Sequence, residues 1–128
     1  MRFLLDTVTF LFAANGDRRL SPVARGFIES PDDPVYLSAI SAWEIAMKHG
    51  RGKLRLPEPP DRYVPRLRDQ MGVEELPLRE ETILRVGRLP DIHGDPFDRA
   101  LVSQAIGMGM TILTPDEAVR QYPVPTIW

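Results

Sequence analysis

The chain has 128 residues, which is enough for one domain with a substantial core and too little for two. Its hydrophobic fraction of 43% and charged fraction of 27% are those of an ordinary globular protein. The absence of cysteine excludes disulfides and thiolate metal sites and makes the cytoplasm the expected compartment. A formal net charge of −2 excludes a whole-molecule positive field, so any nucleic-acid binding must use a local basic patch.

Neither apolar stretch reads as a membrane or export signal. In MRFLLDTVTFLFAANGD, Asp6 interrupts the hydrophobic region and Arg2 is the whole basic leader. The longest uncharged run, between Arg99 and Asp116, is short of a span and is broken by Ser103, Gln104, Gly107 and Gly109.

Phe3 to Leu5 form an apolar burst that stops at Asp6, the pattern of a buried first strand. Val8 to Ala14 is expected to be helical and to end at Asn15-Gly16-Asp17. Ser21-Pro22, an N-cap followed by proline at the first helical position, opens a helix to about Ser30. Pro31 to Pro34 is a turn, and Val35-Tyr36-Leu37 a second strand. Ser41 is read as the cap of a helix through Lys48, with Glu44 three residues on completing a capping box. His49-Gly50 ends it, and the prolines from Leu56 to Pro60 mark a loop.

Asp61 to Met71 is expected to be helical despite Pro65 in its first turn, followed by a short third strand at Val73 to Leu76. Arg79 to Arg88 reads as helix, Leu89 to Gly94 as loop, and Pro96 to Met108 as the strongest helix of the chain. A fourth strand, Met110 to Leu113, a short helix from Pro115 to Gln121 and an edge strand at the C-terminal end complete the series. Strands alternating with helices of about ten residues imply an α/β domain, a parallel sheet of four to five strands covered on both faces.

In such a sheet ligands bind beyond the carboxyl ends of the strands, where the strand order reverses. Four acids fall at that edge: Asp6 after the first strand, Glu44 early in the helix after the second, Asp98 at the start of the helix before the fourth, and Asp116 after the fourth. Crowded carboxylates cannot all ionise cheaply, so a compensating positive charge is needed. With no cysteine and two histidines, the expected compensation is a hard divalent cation, Mg²⁺ or Mn²⁺. Taken singly, Asp98 also reads as a helix-dipole residue and Glu44 as a capping residue. Asp6 is harder to treat so, because a charge directly after a buried strand needs a partner.

HGDPFDRALVSQA, residues 93–105, carries two aspartates three apart. If Asp95 is the N-cap, Pro96 and Phe97 are the first two helical positions and Asp98 the third. Asp95 then spends its oxygen on backbone N–H groups and Asp98 remains for a metal. Phe97, Leu101, Ala105 and Met108 form the expected buried stripe.

FLLDT at 3–7, SAWEIAMKHGRGKLRLP at 41–57, HGDPFDRALVSQA at 93–105 and LTPDEA at 113–118 resemble the PIN-domain ribonucleases, and most closely the VapC-type toxins of bacterial toxin–antitoxin pairs. The resemblance runs the length of the chain, in order. It implies a three-layer PIN-like fold, Mg²⁺-dependent RNA cleavage, homodimerisation and neutralisation by a cognate VapB-type antitoxin. It implies that Asp6, Glu44, Asp98 and Asp116 form the catalytic acidic quartet, with Asp6 and Asp98 as main ligands, Asp116 as a second or water-mediated ligand, and Glu44 orienting water. After LLDT the chain reads Val8-Thr9-Phe10-Leu11-Phe12 where many relatives have His-Ala-Leu-Leu-Trp, and position 94 is Gly; neither departure removes an acid.

Lys48, Arg51, Lys53 and Arg55 follow the Glu44 helix. They read either as cations at a helix C-terminus or as holders of RNA phosphates. Arg99, beside Asp98, reads as a partner for an acid or a contact to the scissile strand. Trp43 is expected in the core rather than as a base-stacking platform, and neither His49 nor His93 is assigned a ligand role. Two other functions compete. One is a phosphatase with Asp6 as covalent nucleophile, a class that wants a second Asp two residues on, where this chain has Val8. The other is a non-catalytic module in which the acids hold a metal or basic partner.

Overall fold

The computed structural model describes residues 1–128. Its centre is a five-stranded, wholly parallel sheet of order β3-β2-β1-β4-β5, built from β1 (Phe3–Leu5), β2 (Val35–Ser38), β3 (Glu74–Leu76), β4 (Thr111–Leu113) and β5 (Thr126–Ile127). The C-terminal edge strand expected from sequence is therefore present, as the partner of β4. Six α-helices connect the strands: α1 (Thr7–Ala14), α2 (Pro22–Glu29), α3 (Ala39–Gly50), α4 (Pro60–Met71), α5 (Glu80–Leu84) and α6 (Pro96–Met108).

All three residues of β1 are fully buried, because β1 is central and both faces of the sheet are covered. Side-chain alternation divides the core in two. Phe3 and Leu5 point into a cluster with Phe10 of α1, Ala24 and Ile28 of α2, Ile45 of α3 and Tyr63, Val64 and Leu67 of α4. Leu4 points the other way, onto Ile40 of α3 and Phe97, Leu101, Val102 and Ala105 of α6. Helix α3 thus contributes to both layers. The apolar face of α6 is wider than the expected stripe, since Ala100, Val102, Ser103 and Gln104 are buried too while Met108 is half-buried. Gly109, at φ +64, ends α6 in the left-handed region and turns the chain into β4.

Four expectations need correction. Helix α3 is capped by Ser38, whose hydroxyl accepts from the Ile40 N–H at 3.0 Å, not by Ser41. Strand β2 runs directly into the helix, so Ser41 lies inside it, buried with an unpaired Oγ, and Glu44 takes no part in a capping box. Residues 79–88 form the one-turn α5 and a 3₁₀ turn at Val86–Arg88 rather than one helix. The helix expected at Pro115 to Gln121 is a 3₁₀ turn at Val119–Gln121. Trp43 is 59% exposed, on the outer face of α3 with its ring edge-on to Phe97 at 4.8 Å, so it is not a core residue.

The strand order reverses between β1 and β4, whose ends pair as Leu5↔Leu113. Asp6 and Thr114 are the residues that leave those ends, side by side at the switch point.

Candidate metal centre

One cavity of about 340 Å³ lies at this edge, and Asp6, Glu44, Asp98 and Asp116 all line it, together with Asp95 and Lys48. Residues as far apart as 6 and 116 meet there because the parallel crossovers return each strand end to one side of the sheet.

Asp6 caps α1, its Oδ1 accepting from the Thr9 N–H at 2.9 Å. Its Oδ2 accepts from the Thr114 hydroxyl, which in turn accepts from the Asp116 N–H at 3.0 Å. Burial is the main influence on Asp6 and raises its pKa; the hydrogen bonds from Thr114 and Thr9 pull the other way. Asp116 folds back on its own turn, Oδ1 accepting from Ala118 N–H at 2.8 Å and Val119 N–H at 3.2 Å.

Glu44, buried one turn into α3, accepts from the Thr7 hydroxyl at 2.5 Å and from Lys48 Nζ at 2.7 Å. Its partner Lys48 is an i,i+4 neighbour, and the bond to Glu44 holds the ammonium pKa above its usual value. Asp95 is the N-cap of α6, Oδ1 accepting from Phe97 N–H at 2.9 Å and Asp98 N–H at 3.0 Å. Asp98 is left without a cation as partner. Burial, then repulsion from Asp95, Asp116, Asp6 and Glu44, pushes its pKa up to about 7.

As placed, no three His, Asp or Glu side chains converge into a ready coordination shell. Asp6, Glu44 and Asp116 are each turned toward a hydroxyl, an ammonium or backbone N–H groups. The chemistry of the donor set nevertheless fits a hard divalent cation: every acid is an oxygen donor, and Asp6, Glu44, Asp95, Asp98 and Asp116 line the cavity against Lys48 and Lys53 alone. Asp6, Asp98 and Asp116 are the residues that would hold such an ion, and Glu44 stands beside them.

Of the cations, Lys48 and Lys53 line the cavity, whereas Arg51 is the exposed C-cap of α3 outside it and Arg55 is exposed. Arg99 points away from the acids and donates to the carbonyls of Pro90 at 2.9 Å and Val86 at 3.2 Å, and to the Tyr122 hydroxyl at 3.1 Å. Sequence reasoning missed Thr7 and Thr114, because a threonine beside an acid carries no signal of its own. It also missed the pairing of Lys48 with Glu44, although the four-residue spacing in one helix was visible.

A family model described as the PIN domain matches residues 3–125. The chain belongs to the PIN-domain family. Among characterised proteins it is similar to ribonuclease VapC16 of Mycobacterium tuberculosis, at 40% identity over 52 residues. That match spans 41% of this chain and 37% of the relative. Among solved structures, VapBC2 from Rickettsia felis bound to a promoter DNA fragment superposes with a TM-score of 0.75 at 18% identity, covering 100% of this chain and 99% of that one. FitAcB from Neisseria gonorrhoeae superposes with a TM-score of 0.59 at 18% identity, covering 98% and 96%. At these identities the structures establish the PIN fold, in agreement with the five-stranded parallel sheet.

Proposed function

We propose that this PIN-domain protein is a VapC-type toxin: a Mg²⁺-dependent endoribonuclease that hydrolyses RNA phosphodiesters, with Mn²⁺ as an alternative ion. The observation that carries the reading is the meeting of four carboxylates from four separate segments in one cavity, at the switch point of a parallel sheet. The partial likeness to a VapC ribonuclease supports the choice of RNA as substrate.

A divalent ion bound there would supply Lewis acidity toward the phosphate and would lower the pKa of an attacking water. The protein's own groups do the rest. Asp6 and Asp98 would be the main ligands and Asp116 the second or water-mediated one. Glu44, fixed by Thr7 and Lys48, orients water by accepting its hydrogen bond. Lys53, at the cavity wall, attracts a substrate phosphate.

Solved VapBC and FitAcB assemblies of the same fold support a VapB-type antitoxin as the partner. Such an antitoxin neutralises the carboxylates by inserting an Arg or Lys among them and lays an apolar segment against the early helices. Homodimerisation belongs to the same reading. The phosphatase alternative is disfavoured because that class wants a second Asp two residues after the nucleophile, where this chain has Val8.

The test is calorimetric Mn²⁺ titration paired with cleavage of a mixed-sequence RNA in Mg²⁺. Wild type should bind the ion and cleave, and Asp98→Asn should do neither while keeping its circular dichroism. A folded Asp98→Asn protein that cleaves at the wild-type rate overturns the assignment.

A further inference from the structure

We propose that His93 is a positioning residue for Asp98, its Nε2–H donating to Asp98 Oδ2 so that the carboxylate plane is fixed with the other oxygen left for the ion. The inference rests on Asp98 being a metal ligand, as in the reading above.

Nδ1 of His93 accepts from the Asp95 backbone N–H at 3.1 Å, so the ring proton is on Nε2. That Nε2 is buried and has no hydrogen-bond partner. A buried donor left unpaired is costly and calls for an acceptor. The polar group it faces is Asp98 Oδ2, 3.7 Å away, roughly 0.5–1 Å beyond a formed hydrogen bond.

The ring's place is built, not incidental. Tyr122 stands edge-on to it at 5.7 Å, and the Tyr122 hydroxyl bonds both the N–H and the carbonyl of His93 at 3.4 and 3.3 Å. Arg99 donates to that hydroxyl and to the carbonyls of Val86, Pro90 and His93. Arg99 thus serves the loop that carries His93. A histidine that orients a ligand carboxylate in this way affects metal affinity by roughly 10- to 100-fold.

Two isosteres separate this role from simple loop support. In Gln the side-chain amide nitrogen overlays Nε2, keeping the donor toward Asp98; in Asn the side-chain oxygen overlays Nδ1, keeping the acceptor for the Asp95 N–H. Mn²⁺ affinity is measured by calorimetry on wild type, His93→Gln and His93→Asn. The Gln variant should stay within about threefold of wild type and the Asn variant should weaken by about tenfold or more. The reverse order, two variants equal to wild type, or two equally weakened variants overturn the proposal while leaving the metal site standing. A folded wild type that binds no Mn²⁺ overturns the metal reading and this inference with it.

Should a variant fail to fold, ¹⁵N spectra of the wild-type histidines decide. Nε2 should carry the proton, and its resonance should move on Mg²⁺ addition in wild type. A proton on Nδ1, or an Nε2 signal indifferent to Mg²⁺ in protein that binds the ion, overturns it.

Discussion

Thr114 donates its hydroxyl to Asp6 Oδ2 and accepts from the Asp116 N–H, joining the acid after β1 to the acid after β4 through one fully buried side chain. Replacing it with valine keeps the shape and removes both bonds, leaving a buried carboxylate oxygen and a backbone N–H unpaired. Thr114→Val should cost about 1–3 kcal/mol, read from the urea midpoint, and Thr114→Ser should recover most of it. A valine variant as stable as wild type would show that the hydroxyl is idle.

Asp98 contributes to the pH dependence of the ion-free protein. Its pKa rises on folding from 3.8 to about 7, so between those values the folded state binds more protons than the unfolded one. Stability from this group is therefore complete below pH about 4 and lost as pH rises through about 7. Burial of Asp6 acts in the same direction. Asp98→Asn removes the penalty. With partial exposure discounted, the gain at pH 8 is about 1–2 kcal/mol, or several degrees in Tm, and vanishes near pH 4. Equal melting temperatures for the two proteins at pH 8 in chelator would contradict the electrostatics described above.

Much of this was legible in the sequence, and the exceptions share a cause. The end of β1 at Asp6 and the cap at Asp95 are local patterns, written in an abrupt polarity change and in DPFD, and the structure contains both. Helix α3 shows the limit. Ser41 and Glu44 satisfy a capping box by spacing, yet Ser38 caps because β2 continues into the helix with no loop. Trp43 and Glu44 are adjacent, so on a helix they project about 100° apart. Glu44 is the buried one, turned to Thr7 of α1, whereas Trp43 meets only the edge of Phe97 and stays exposed, the reverse of what their polarities suggest. The same offset separates Asp98, in the cavity, from Arg99, behind it. The four acids could be listed from strand order, whereas the hydroxyls and Lys48 that hold them required the packed molecule.

Divalent ions should stabilise the protein in proportion to the charge they relieve. At a Mg²⁺ concentration of about 100 times Kd the gain is roughly 2.7 kcal/mol, reversed by chelator. It should be larger at pH 8 than at pH 5, where protons compete for Asp98, and absent in Asp98→Asn. Equal stabilisation of wild type and Asp98→Asn would place the ion elsewhere.

Asp95→Asn should behave quite differently from Asp98→Asn. Asparagine caps a helix about as well as aspartate, so the Phe97 and Asp98 N–H groups keep their acceptor. Removing the charge also relieves Asp98, for which Asp95 is the largest electrostatic neighbour. The variant should retain metal binding and cleavage, with the Asp98 pKa lowered in a carboxyl NMR titration. Loss of metal affinity as complete as in Asp98→Asn would make Asp95 a ligand rather than a cap.

The basic residues after α3 are not equivalent, and salt dependence should separate them. Lys48 is paired with Glu44, Lys53 lines the cavity without an ion pair, and Arg51 sits outside it. A side chain that neutralises one phosphate adds about 0.7–0.9 to the slope of log K against log salt. Lys53→Ala should therefore flatten the slope for RNA by about one unit, and Arg51→Ala should leave it nearly unchanged. Lys48→Ala should tighten Mn²⁺ binding, because it removes a positive charge from beside the acids, while lowering cleavage through the loosened Glu44. Fluorescence anisotropy with a catalytically silent Asp98→Asn background supplies the slopes, and calorimetry in the wild-type background supplies the metal affinities. If the Lys53 slope is unchanged, the phosphates pass along another face, and the lysine is a helix-end cation only.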